Sequence, residues 1–136
     1  MPSIALRVIG VIRSEIKTRA EAPRFYTEGA PDARLEVRPA YRRALQRVRA
    51  GDELIVITWL HRARRDVLRV HPEDDMTRPL TGVFLTRSPD RPNPLGLHRC
   101  TVRAVTRTGL RIGPIEAIDG TPVVDVKTVV SDADDS

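Results

Sequence analysis

Between Gly82 and Leu97 the chain reads Gly-Val-Phe-Leu-Thr-Arg-Ser-Pro-Asp-Arg-Pro-Asn-Pro-Leu-Gly-Leu, with prolines at 89, 92 and 94. Each proline fixes its own φ and biases the preceding residue towards extended backbone. A helix and an interior strand are thereby excluded, and a stiff loop between two strands is predicted. Such a loop loses little entropy on meeting a ligand. It carries Arg87, Arg91 and Asn93. Arginine forks match carboxylate or phosphate, and an amide both donates and accepts. The same arginines could instead cap carbonyls of a rigid turn.

Other residues able to do chemistry are scattered. His61 ends an apolar run, where a histidine is more often structural than functional. Asp90, His98 and Asp119 lie in or beside the distinctive segments and are candidates to accept a proton. Cys100 is the single cysteine, which excludes an intrachain disulfide and a cysteine-based zinc site, and no metal is expected. No Gly-x-Gly-x-x-Gly follows a strand, and no Gly-x-x-x-x-Gly-Lys occurs, so neither a Rossmann dinucleotide site nor a P-loop is expected.

The elements that position these residues fit one domain. A chain of 136 residues is too short for two independent cores. With 40% hydrophobic and 30% charged residues it has a soluble, globular balance. No signal peptide or membrane span is read, and the cytoplasm is the expected compartment. The formal charge of +5 is almost all arginine, with Lys17 and Lys127 the only lysines. A polyanion partner such as nucleic acid is one reading; merely solvated arginines are the other.

Residues 4–13 read as a first strand bent at Gly10, and 14–32 as a long loop. Leu35–Val37 is a short strand. Pro39 opens a helix over 40–49 that Gly51 ends; Tyr41, Ala44, Leu45 and Val48 share an apolar face, and Arg42, Arg43, Arg47 and Arg49 occupy the rest. Beyond Glu53 the pattern is all β: Leu54–Leu60, Asp66–His71, Leu80–Thr86, His98–Thr106, Leu110–Ile112 and Val123–Val130. In His98–Thr106, Cys100, Val102 and Ala104 alternate with Thr101, Arg103 and Val105. Many short strands with one helix predict an antiparallel barrel or sandwich.

The stretch 82–96 resembles the signature of the TrmO family, also called the YaeB-like or TsaA-like domain, which reads Gly-Val-Phe-Ala-Thr-Arg-Ser-Pro-x-Arg-Pro-Asn-Pro-Ile-Gly. Ile9-Gly10-Val11-Ile12-Arg13-Ser14 is similar to the family's opening strand. Asp119-Gly120-Thr121-Pro122-Val123-Val124-Asp125-Val126-Lys127 is similar to its closing Asp-Gly-Thr-Pro motif. The resemblance implies a mainly β fold, a single-sheet antiparallel β-barrel with one short helix. Residues 1–131 would form it and 132–136 an acidic tail, with no second C-terminal domain. It implies S-adenosylmethionine as cofactor, a homodimer, and tRNA as partner. Characterised members methylate N6 of threonylcarbamoyladenosine beside the anticodon.

Carried over residue by residue, the resemblance implies cofactor contacts at Pro23, Arg24, His61, Arg62, Arg87, Leu97, Gly113, Pro114, Ile115 and Glu116. Arg87 would grip the cofactor carboxylate, Leu97 would pack on the adenine, and Glu116 suits a ribose hydroxyl or the adenine edge. Arg91 and Asn93 would orient the acceptor, with Asp119 among the residues at the chemistry. Two places depart from the family: Phe25 replaces a glutamine, and Glu53 a histidine. A same-fold methyltransferase acting on another RNA or a small molecule stays open, as does a non-catalytic S-adenosylmethionine- or RNA-binding barrel.

Overall fold

The computed structural model describes residues 2–22 and 29–130. Six strands close into one barrel: β1 (Gly10–Arg13), β2 (Ala33–Val37), β3 (Glu53–Trp59), β6 (Leu95–Val105), β7 (Gly109–Gly113) and β8 (Pro122–Thr128). Their order around the barrel is β1-β2-β7-β6-β3-β8, and β8 returns to β1. Every pairing is antiparallel. A two-stranded ribbon of β4 (Arg69–Val70) and β5 (Thr81–Gly82) lies outside it. Closure removes the unpaired edges that an open sheet of this size would expose.

Period-2 alternation decides which side chains fill the interior. Along β6, Gly96, His98, Cys100 and Val102 point inward and Leu95, Leu97 and Arg99 outward; along β3, Leu54, Val56 and Thr58 point inward. The core joins these to Ile12, Leu35, Val37, Leu110, Ile112, Ile115, Ala117 and Val123.

Three local expectations change. The stretch 40–49 is a 3-10 turn, Pro39–Leu45, followed by Arg47 at a left-handed φ of 76°, rather than a continuous helix. Tyr41, Leu45 and Val48 still pack on the core, so the apolar face survives the change of helix type. The expected strands 66–71 and 80–86 shrink to β4 and β5, because Val83–Leu85 turns into a 3-10 helix instead of extending. The first strand begins only at Gly10, although Ile9 N–H still donates to Val123 O at 2.9 Å.

Candidate functional site

The loop from Thr86 to Pro94 runs directly into β6, and its shape is held by Arg91. The guanidinium Nη1 donates to Thr86 O and Ser88 O, and Nη2 to Val83 O, each at 3.0 Å. One side chain thus pins the backbone on both sides of Arg87. Arg87 itself is exposed and has no hydrogen bond or ion pair among the described residues. Of the two readings of these arginines, carbonyl capping describes Arg91 and a free fork describes Arg87.

The segment after β3 buttresses the same loop. Leu60 N–H donates to Pro94 O (2.8 Å), and Arg91 N–H to Arg64 O (3.0 Å). Arg65 Nε donates to Pro92 O (2.8 Å) and its Nη2 to Asn93 Oδ1 (3.2 Å), while the guanidinium lies over Trp59, 5.0 Å from the ring centroid. Asp90 gathers a third segment: it accepts from Arg64 N–H at 2.8 Å and pairs with Arg19 at 3.2 Å. Arg19 also donates to Arg62 O (3.3 Å). The structure therefore brings His61, Arg62, Arg87, Arg91 and Asn93 into one neighbourhood with the polar loop after β1. Pro23 and Arg24, further along that loop, lie outside the described residues. His61 is exposed, and its pKa is lowered by its partial burial and by the Arg62 charge.

Inside the barrel mouth sits a polar triad. His98, the fourth residue of β6, has Nδ1 2.5 Å from Glu116 Oε1 and Nε2 2.7 Å from Thr58 Oγ1. A proton on Nδ1 would face the carboxylate, and Nε2 would then accept the threonine hydroxyl. His98 is 5% exposed and Glu116 18%, and Glu116 Oε2 is buried without a hydrogen-bond partner. Gly96 makes room for this arrangement: a Cβ there would stand 2.5 Å from Thr58 Oγ1 and 2.7 Å from His98 Nε2. Glu116 follows the cis Gly113–Pro114 peptide and the fully buried Ile115. Leu97 shares β6 but faces outward, 51% exposed.

Asp119 belongs to another cluster. Its Oδ1 accepts from Ser14 N–H at 3.0 Å, and Oδ2 pairs with Lys17 at 3.3 Å. The Ser14 amide above all, then Lys17, holds the carboxyl below the ordinary carboxylate range. Asp119 borders an open cleft of about 430 Å³, also lined by Arg13, Glu15, Asp32, Arg34 and Arg111. Among the described residues, no group of three or more His, Cys, Asp or Glu side chains is placed to hold a metal ion.

Residues 11–135 match the tRNA-methyltransferase O N-terminal domain. The chain belongs to this family. It is 39% identical over 132 residues to a probable S-adenosyl-L-methionine-binding protein of Methanothermobacter thermautotrophicus, covering 96% of this chain and 93% of that one. An S-adenosyl-L-methionine-binding protein of Archaeoglobus fulgidus is 37% identical over 122 residues, 90% of this chain and 86% of the relative. The crystal structure of TrmO from Pseudomonas aeruginosa superposes with a TM-score of 0.78 at 26% identity over 99% of this chain. This chain spans 60% of that TrmO chain.

In this TrmO-type domain the signature loop, the segment after β3 and β6 form one unit. Three contributors have no signal in the linear motif. Arg19, Arg65 and Thr58 reach the site through contacts 28 to 71 residues apart in sequence. For Thr58 a signal did exist, since it sits in phase with Leu54 and Val56 and so had to face inward beside His98.

Proposed function

We propose that this domain binds S-adenosylmethionine and catalyses transfer of its methyl group to a tRNA base. N6 of threonylcarbamoyladenosine is the acceptor to which the family resemblance points. One observation carries the reading: among the described residues Arg87 has no partner while Arg91 anchors the backbone around it, so the loop presents an open fork on a rigid support. The donor set fits the cofactor. Arg87 suits its carboxylate, the orphaned Glu116 Oε2 suits a ribose hydroxyl or adenine amino donor, and outward Leu97 offers an apolar seat for the ring. Names of relatives as S-adenosyl-L-methionine-binding proteins agree with this.

The bound cofactor supplies an electrophilic methyl on a sulfonium, whose departure leaves a neutral thioether. The protein's own task is then orientation and removal of one proton from the acceptor nitrogen. Asn93 gives its carbonyl oxygen to Arg65, which leaves its amide N–H groups for the acceptor. Arg91 acts as a positioning residue for Arg87. Of the three candidate proton acceptors, Asp90 is engaged by Arg19 and Arg64, and His98 is enclosed between Glu116 and Thr58. Asp119 is likewise engaged, by Ser14 N–H and Lys17, in a cluster apart from the loop, so the geometry singles out none of the three as the proton acceptor. The homodimer of this proposal is supported by Leu68, Phe84 and Leu85, which are strongly exposed, with Val83 N–H donating to Leu68 O at 2.9 Å. The cytoplasm is its compartment.

The test is calorimetric titration with S-adenosylmethionine and with its demethylated product. Losing a charge-assisted fork of roughly 1.5–3 kcal/mol, Arg87→Ala should weaken binding about ten- to hundredfold. Equal affinity of the variant and the natural protein would remove Arg87 from the site. A non-catalytic binder is the second reading, favoured by the binding-protein names of the relatives; tight titration without methyl transfer would establish it.

A further inference from the structure

The segment between β2 and β3 is dense in positive charge. Residues 38–51 hold five arginines (38, 42, 43, 47 and 49) and no acidic residue. The chain has 23 Lys and Arg against 18 Asp and Glu, so removing these five leaves eighteen of each sign. Residues 38–51 thus carry a local charge equal to the net charge of the chain, and residues 97–115, which include Arg107, add four arginines with no acidic residue.

The fold gathers this segment into a platform. It crosses one end of the barrel from β2 to β3, fastened below by Tyr41, Leu45 and Val48 on the core. Backbone bonds tie it to its neighbours: Arg38 N–H to Ile9 O at 2.8 Å and Gly51 N–H to Val102 O at 2.8 Å. Val37 N–H donates to Thr108 O at 2.9 Å, which brings Arg107 of the β6–β7 turn to the same end. Arg38, Arg43, Arg47, Arg49 and Arg107 are all exposed. Among the described residues, the side chains of Arg38, Arg43, Arg47 and Arg107 have no hydrogen bond or ion pair, whereas Arg19, Arg34, Arg64, Arg78, Arg103 and Arg111 are ion-paired. Arg42 Nε is taken by Val37 O at 2.8 Å. Of the acids bordering the platform, Glu53 pairs with Arg99 and Glu36 with Arg34, while Asp52 accepts from Arg49 N–H at the platform's edge.

We propose that this arginine-covered barrel end is a second binding surface, one that grips the phosphate backbone of RNA. It deepens the RNA reading of the acceptor, yet it does not depend on the cofactor. Unpaired planar forks on a rigid base are matched to phosphate oxygens, and their mutual repulsion is relieved by a polyanion. The surface is also remote from the signature loop. β6 starts at that loop and ends at the Arg107 turn, and its eleven residues at about 3.3 Å each separate the two by roughly 30 Å. A ligand held at both ends must be an extended or folded polymer, which favours RNA over a small anion. The platform would add affinity without reading sequence, since phosphate contacts position rather than specify.

The test measures binding of fluorescent bulk tRNA to the full chain by anisotropy, without S-adenosylmethionine, from 50 to 300 mM salt. The comparison is with a variant carrying Arg38→Gln, Arg43→Gln, Arg47→Gln and Arg107→Gln. These side chains bond to nothing among the described residues, and thermal melting and product titration of the same preparation verify the barrel and the cofactor site. The expected result is weaker RNA binding at every salt concentration, with the log–log salt slope reduced by about 0.7–0.9 for each arginine that meets a phosphate. An unchanged slope in the folded variant overturns the proposal. Anionic phospholipid vesicles and polyglutamate form parallel arms, and binding of either with no binding of RNA also overturns it. RNA binding lost in the variant, with no cofactor titration in either protein, would uphold the surface and defeat the methyltransferase reading.

Discussion

Replacing Arg91 by Ala tests whether this residue builds the loop or contacts ligand. Its guanidinium gives three bonds of 3.0 Å to Val83, Thr86 and Ser88 carbonyls in a half-buried setting. A charge-assisted bond contributes about 1.5–3 kcal/mol net, and bonds sharing one cation do not add fully, so the group is worth roughly 2–3 kcal/mol. For a domain of this size each kcal/mol moves Tm by about 3–5 °C, which gives a fall of roughly 6–15 °C. The freed carbonyls also loosen Phe84 and Leu85, already 82% and 87% exposed, so chymotrypsin should cut there faster. Calorimetry and timed proteolysis on one preparation measure both. Cofactor affinity should fall as well, because Arg87 loses its support. Unchanged Tm and cleavage with lost turnover would refute this reasoning and return Arg91 to direct contact with the acceptor.

Gly96→Ala pushes a methyl into Thr58 and His98 and should destabilise by about 1–3 kcal/mol in chemical denaturation. Thr58→Val keeps the shape but leaves His98 Nε2 without its 2.7 Å partner, at a cost of about 1–3 kcal/mol. Burial above all, then the nearby Glu116 charge, pushes the Cys100 thiol up to about 12. Folded protein at pH 8 should therefore resist thiol reagents that label it fully in denaturant. Asp119 is held below its ordinary pKa, so its contribution is present above the unfolded value and is lost as pH falls through the folded one. Melting of Asp119→Asn should fall short of the natural protein at pH 7, and the gap should close in strong acid.

The alternation in β6 was readable because Cys100 and Val102 share a phase, and that phase already placed His98 inside the barrel. Its partner was not readable: Glu116 is 18 residues away, beyond a strand and a turn, and only closure brings it to Nδ1. The prolines at 89, 92 and 94 announced a rigid loop, but residue type does not say which way a fork turns. Arg87 and Arg91 are four positions apart in one motif and take opposite roles. At 40–49 the apolar spacing was correct, while Arg47 at φ 76° ends the turn that the spacing would have continued. Asp66–His71 looked like a strand by alternation, yet only Arg69 and Val70 find a partner in β5.

We propose above that this domain moves a methyl group from S-adenosylmethionine to tRNA. The most direct measurement incubates it with methyl-labelled S-adenosylmethionine and tRNA from cells lacking the protein, followed by nucleoside mass spectrometry. Label is expected in a single nucleoside, with the mass of methylated threonylcarbamoyladenosine, and with Arg87→Ala at cofactor below its Kd the label should fall about ten- to hundredfold. Saturating cofactor binding with no label in any nucleoside would contradict it.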